Sequence, residues 1–242
     1  MKIYKARDYD HLSQIVANII AAQITLKPDS VLGLATGGTP VGTYKELIKK
    51  HKNGDLCFGG VKSINLDEYC GLAPESPQSY AYFMKDNLFG HINIKAENVN
   101  IPSGLNTDAE AECKLYDKVI ENNPIDLQLL GLGSNGHFGF NEPDAELKLD
   151  TNHVTLAQAT IDANKRYFDR EEDVPKTAYT MGLGSIMHAK KILLLASGEG
   201  KSEILYKALR GSLTTQVPAS LLQLHRDLIV IGDESSLRFF DV

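Results

Sequence analysis

The sequence predicts an α/β fold: a mostly parallel, open, doubly wound (Rossmann-like) sheet with helices on both faces and a helical, lid-like insertion. Two features carry that expectation. Short continuous apolar runs, such as Val31-Leu32-Gly33-Leu34-Ala35, read as strands buried on both faces, and they alternate with longer segments of helical periodicity. The runs also end in glycine-rich or polar turns, the place where parallel sheets of this kind bind ligands. Residues 1–242 read as one domain, with a lid at about 145–187.

Taken in order, Leu12, Ile15, Val16, Ile19 and Ile20 recur at helical spacing and predict a helix over 8–26, followed by a turn at Lys27-Pro28-Asp29-Ser30. The strand at 31–35 ends in Thr36-Gly37-Gly38-Thr39-Pro40, and Pro40 is well placed at the first turn of a helix over 41–51. Strands are expected at 61–66, 126–132, 191–196 and 228–231, and helices at 79–88, 109–121 and 199–210. The stretch 145–187 is polar, carries charges such as Arg170-Glu171-Glu172-Asp173, and shows no clear strand. It reads as helices and loops, either a cover over a site or a solvated surface insertion.

Composition narrows the function. Hydrophobic residues at 43% and charged residues at 23% are ordinary for a globular protein, which excludes a disordered chain. Net charge is -6, from 25 basic and 31 acidic residues, and argues against nucleic acid or anionic membrane as partners. A small anionic ligand stays open, since a phosphate site needs only a few local donors. The three cysteines, Cys57, Cys70 and Cys113, are widely spaced and form no CxxC, so neither a disulfide framework nor a zinc site is expected. Residues 1–10 have two lysines but no apolar stretch of the signal-peptide kind, and no run approaches the ~18 residues of a membrane span. The expected location is the cytoplasm.

Two familiar spellings fail on context. Gly131-Leu132-Gly133-Ser134-Asn135-Gly136 follows a strand, but Pro143 arrives before a helix and second strand of a dinucleotide site could form. Gly198-Glu199-Gly200-Lys201-Ser202 lacks the earlier glycine of a phosphate loop, because that position is Leu195 inside the strand. Lys201 at the start of a helix still suits a phosphate.

Four strand ends hold the candidate chemistry. Thr36-Gly37-Gly38-Thr39 brings backbone amides close to an anion, or is simply a tight turn. Asn65-Leu66-Asp67-Glu68-Tyr69 places two carboxylates at the end of a buried strand, where Asp67 is a candidate base or a cap. His137 lies in a glycine-rich turn five residues before Glu142, a proton shuttle with a carboxylate to orient it. The fourth is Lys201. Arg166 is a further cation in the lid-like stretch, or part of a solvated helix face.

These segments together resemble the glucosamine-6-phosphate deaminase family, within the wider group of 6-phosphogluconolactonases and ribose-5-phosphate isomerases. The matching pieces are Leu34-Ala35-Thr36-Gly37-Gly38-Thr39-Pro40, Asn65-Leu66-Asp67-Glu68-Tyr69, residues 131–143 with Phe140-Asn141-Glu142-Pro143 at their end, residues 163–168, and Leu222-Gln223-Leu224-His225. Lactonases of the group usually show Asp-Glu-Arg at the second piece and lack the Phe-Asn-Glu-Pro ending. The resemblance implies conversion of glucosamine 6-phosphate to fructose 6-phosphate and ammonia, as in amino-sugar catabolism, with no metal or organic cofactor. It implies that His137 opens the sugar ring with Glu142 orienting it, and that Asp67 moves a proton from C2 to C1. It also implies that the turn Thr36, Gly37, Gly38 and Thr39 holds the phosphate with Arg166 and Lys201.

This chain departs from the family pattern at Asn135, where many members carry aspartate. Asparagine can only hydrogen-bond, so the relay to His137 is expected to depend on Glu142 alone. Longer members extend further at the C-terminus and are allosterically activated hexamers; for this chain the expectation is a monomer or small homo-oligomer. Two other readings compete: a sugar-phosphate lactonase, and a non-catalytic sugar-phosphate sensor. The second normally carries a DNA-binding module, for which there is neither spare length nor a basic face.

Overall fold

A computed structural model describes residues 1–158, 161–162, 165, 168, 170 and 173–241. Its strands are β1 (Lys2–Ala6), β2 (Val31–Leu34), β3 (Lys62–Asn65), β4 (Asp67–Tyr69), β5 (Val99–Asn100), β6 (Leu127–Gly131), β7 (Asn152–Thr155), β8 (Thr177–Thr180), β9 (Ile192–Ala196) and β10 (Leu228–Asp233). Helices are α1 (Tyr9–Leu26), α2 (Val41–Lys52), α3 (Tyr80–Asn87), α4 (Ala109–Asn122), α5 (Leu183–Met187) and α6 (Ser202–Arg210). Seven strands form one parallel sheet in the order β1-β10-β9-β6-β2-β3-β5.

The doubly wound expectation follows from side-chain alternation in the central strands. Leu127, Leu129, Leu193, Leu195, Ile229 and Ile231 face one core, against α1, α2 and α3. Leu130, Ile192, Leu194, Leu228 and Val230 face the other, against α4, α5 and α6. Period two sends successive residues to opposite faces, so an unbroken apolar run requires helices on both sides. Each such side chain contributes about 1.5–3 kcal/mol by leaving water. Helix starts obey local chemistry: Asp8, Ser79 and Asp108 cap α1, α3 and α4 by accepting from His11, Tyr82 and Ala111 amides. At the opposite edge of the sheet from the turns, Asp126 accepts from Lys27 Nζ (2.6 Å), Lys190 Nζ (2.8 Å) and the Val31 amide (2.9 Å), tying α1, β2 and β6 together.

Two expectations are corrected. The stretch 145–187 is not strandless: β7 and β8 pair antiparallel, and β8 pairs with β4, giving a second sheet of order β4-β8-β7. These strands are short and only partly apolar, so period two is weak in the sequence. The strand expected at 61–66 also ends sooner. The chain turns after Asn65, and Asp67 begins β4, which leaves the main sheet for the second one. β1 has no counterpart in the apolar pattern; it is an edge strand with Lys2, Tyr4 and Lys5 exposed.

Candidate active site

Strands β9, β6, β2 and β3 are consecutive neighbours in the parallel sheet, so their C-terminal ends share one edge. From them issue, in that spatial order, Lys201, the 131–143 segment, the 36–39 turn and Asp67. Candidates far apart in the chain thus converge because four parallel strands run side by side.

Asp67 is buried at 5% exposure, and among the described residues no hydrogen bond or ion pair reaches its carboxylate. Burial first, and the charge of Glu68 second, push its pKa up to about 8. It pairs with Thr180 across the β4–β8 ladder. The 131–143 segment folds over it: a methyl added to Gly139 would lie 3.3 Å from Asp67 Oδ2 and 3.0 Å from Thr180 Oγ1. Glu68, equally buried, has a different task. Its carboxylate accepts from the amides of Tyr69 (2.8 Å), Tyr80 (2.9 Å) and Ala81 (2.8 Å), which seats the N-terminus of α3. Of the two adjacent acids, one is therefore satisfied and the other isolated. Asp67 is neither a helix cap nor a turn aspartate.

His137 Nδ1 lies 3.1 Å from Glu142 Oε2, and Asn135 Nδ2 donates to the same oxygen at 2.6 Å. Asn135 Oδ1 accepts from the His137 amide at 3.2 Å, so Asn135 clamps both members. A carboxylate at Nδ1 holds the proton there and leaves Nε2 as the basic nitrogen. Gly133 makes room for the ring: a Cβ on it would fall 2.3–2.4 Å from three imidazole atoms. The 131–136 segment is a turn and not a helix start, in keeping with the rejected dinucleotide spelling.

The turn after β2 is open. Gly37 has φ +95° and, like Gly38, is exposed with nothing near its missing side chain. Tyr9 staples it, donating to the Gly38 and Thr39 carbonyls and accepting from the Gly42 amide. No side chain caps α2 from its N-cap position, and its first two amides are already engaged, Val41 with the Gly38 carbonyl (3.4 Å) and Gly42 with the Tyr9 hydroxyl (2.8 Å). Lys201 is half-buried in the 3-10 turn Glu199–Lys201; desolvation lowers its pKa, and no acid partners it among the described residues. Asp233 sets that turn by accepting from Ser197 Oγ (2.6 Å) and the Gly198 amide (2.9 Å). Arg166 lies outside the described residues.

Sequence reasoning missed Gly139, Thr180 and Asp233, whose contributions come from neighbours distant in the chain, and Gly133, which makes room for a ring four residues on. His225, part of a matching motif, is buried and bonds the Ala189 carbonyl, a structural role. Among the described residues no cluster of His, Cys, Asp or Glu is arranged to hold a metal ion, and no helix is long and apolar enough to cross a membrane.

Comparison with known proteins identifies relatives of the whole chain. Residues 5–230 match the family model for glucosamine-6-phosphate isomerases/6-phosphogluconolactonase. A glucosamine-6-phosphate deaminase of Lachnoclostridium phytofermentans is 57% identical over 232 residues, 96% of this chain and 98% of that one. Another from a Thermoanaerobacter species is 53% identical over 237 residues, 98% and 94% of the two chains. A solved structure of a monomeric glucosamine-6-phosphate deaminase superimposes with TM-score 0.95 at 46% identity, covering 99% of this chain and 100% of the other. A 6-phosphogluconolactonase from Trypanosoma cruzi, 17% identical with TM-score 0.80 over 100% and 97% of the chains, shares the fold alone. By its sequence, its sheet and these likenesses, the chain belongs to the glucosamine-6-phosphate isomerase/6-phosphogluconolactonase family.

Proposed function

We propose that the chain is a glucosamine-6-phosphate deaminase acting in amino-sugar catabolism in the cytoplasm. One observation carries the reading: Asp67, a buried carboxylate that no hydrogen-bond donor among the described residues reaches, lies under the loop that holds a carboxylate-oriented histidine. The relatives at 57% and 53% identity support the same substrate.

In this mechanism the turn 36–39, Lys201 and Arg166 hold the phosphate, which turns remote binding energy into orientation of C1 and C2. His137 moves the proton that opens the pyranose to the aldehyde. Asp67 removes the C2 proton; the electron pair forms the C1–C2 double bond as the C1=O π bond breaks, and O1 takes up the proton that the C2 ammonium gives up, leaving a neutral enolamine. The carboxylic acid then returns the proton to C1, leaving an imine at C2. Water adds to C2, ammonia leaves, and the net change is isomerisation with hydrolysis of the C–N bond. A base with pKa about 8 is mostly protonated in the empty site at neutral pH. The ammonium at C2 of the substrate brings the positive charge that favours the carboxylate. Asn135, in place of an acid, holds Glu142 and so leaves it as the acidic partner of the histidine. The monomeric relative supports a monomer or small homo-oligomer.

Ammonia release from glucosamine 6-phosphate, coupled to a dehydrogenase, tests the reading. Steady production of ammonia and fructose 6-phosphate is expected. Hydrolysis of 6-phosphogluconolactone without ammonia release refutes it.

A further inference from the structure

The sheet edge that carries the proposed site extends one strand beyond Lys201, to β10. Gly232 pairs with Ala196, so Asp233 at the end of β10 stands level with Ser197, the first residue after β9. Asp233 is buried. Its Oδ2 accepts from Ser197 Oγ (2.6 Å) and the Gly198 amide (2.9 Å), and its Oδ1 from Ser235 Oγ (2.7 Å) and the Ser236 amide (2.8 Å). Ser236 in turn donates its hydroxyl to the Ala196 carbonyl at 2.9 Å.

Four converging donors fill the lone-pair positions of a carboxylate; an asparagine of the same shape accepts at one end only. Burial alone would raise the pKa of Asp233, but these bonds hold it low, so the group is ionised. Its charge is met by neutral donors and does not compete for Lys201. Glu199, the acid within the turn, pairs with Arg238. Both acids around the turn are thus committed elsewhere, and Lys201 has no acid partner among the described residues.

The Lys201 amide closes the turn by donating to the Gly198 carbonyl at 3.0 Å. Gly198 has φ +90° and ψ 152°, and nothing packs where a side chain would stand at Gly198 or Gly200. A glycine so placed has many other conformations open to it. The bond from its amide to Asp233 selects this one. We propose that Asp233 is a positioning residue for anion binding, fixing the Ser197-Gly198 turn so that Lys201 is presented to the phosphate of the substrate. The proposal rests on the phosphate-holding role given above to Lys201.

Asp233→Asn keeps the shape of the side chain but sets its NH2 against one backbone N–H, that of Gly198 or that of Ser236. The probe is fructose 6-phosphate without ammonia, so that binding is read apart from turnover. Its Kd is measured by titration calorimetry on the full chain, well below the melting temperature of each variant. Asp233→Asn should raise Kd about three- to tenfold. It should add nothing further once Lys201 is replaced in Lys201→Ala. Ser197→Ala removes only the 2.6 Å bond and serves where Asp233→Asn fails to fold; it should raise Kd about two- to fourfold, again only with Lys201 present. Asp126→Asn, which weakens the fold at the opposite edge of the sheet, should leave Kd at the wild-type level. The positioning role is overturned if Asp233→Asn, or Ser197→Ala in its place, leaves Kd unchanged, or raises it equally with and without Lys201. It is overturned as well if Asp126→Asn weakens binding as much. If Lys201→Ala itself leaves Kd at the wild-type level, the phosphate role of Lys201 fails, and the positioning with it.

Discussion

Asp67→Asn should abolish deamination and, at the same time, stabilise the fold more strongly as pH rises. The ordinary carboxyl pKa of 3.8 is pushed up to about 8 by burial and by Glu68. A raised carboxylate pKa favours the folded state fully below pH 4, and that benefit is lost as pH climbs toward 8, because the unfolded chain releases a proton that the folded protein still holds. Each tenfold rise in proton affinity corresponds to about 1.4 kcal/mol, so relative to low pH the fold loses on the order of 6 kcal/mol above pH 8 and roughly 4 at pH 7 through Asp67. Asparagine never ionises, but its buried amide, at a position where no described residue bonds the carboxylate, costs about 1–3 kcal/mol at every pH. That constant offset leaves the pH slope of the difference between variant and wild type untouched. Urea unfolding from pH 5 to pH 9 should therefore show the variant gaining about 1.4 kcal/mol per pH unit up to pH 8, then levelling. A difference that stays flat between pH 5 and pH 8 would refute the isolation of Asp67. Retained ammonia release would refute its role as base.

Three further outcomes follow from the same geometry. In the free enzyme kcat/KM should rise about tenfold per pH unit below a limb near pH 8, set by Asp67, with the kcat limb lower because the substrate ammonium favours the carboxylate; a kcat/KM limb near 4 would contradict this. Gly133→Ala drives a methyl into the imidazole of His137 and should lower kcat about a hundredfold while the melting temperature changes little, as read from steady-state kinetics and thermal denaturation. Asp126→Asn breaks contacts to Lys27 and Lys190, whose side chains are 39% and 56% exposed and relax into water, so urea unfolding should show a loss of about 2 kcal/mol at neutral pH. Although burial alone would raise it, the Asp126 pKa is held low by Lys190, Lys27 and the Val31 amide, so that loss should shrink as pH falls below 4.

The doubly wound sheet is legible in the sequence, because unbroken apolar runs such as Val31–Leu34 and Ile192–Ala196 fold stably only between two helical layers. So is the position of the candidate residues after the strands, since glycine turns and polar clusters interrupt the apolar pattern there. Local chemistry settles helix starts at Asp8, Ser79 and Asp108 to within a residue or so. The departure of Asp67 from the main sheet into β4 is a property of the folded chain alone, because its pairing partner, Thr180, is far away in sequence and neither short strand shows a strong period. The same holds for the division of labour between two adjacent acids. Asp67 and Glu68 are equivalent as letters; three amides reach Glu68, and no donor among the described residues reaches Asp67. That asymmetry, which raises the proton affinity of the proposed base, arises from burial and from neighbours distant in the chain, and pattern along a sequence carries neither.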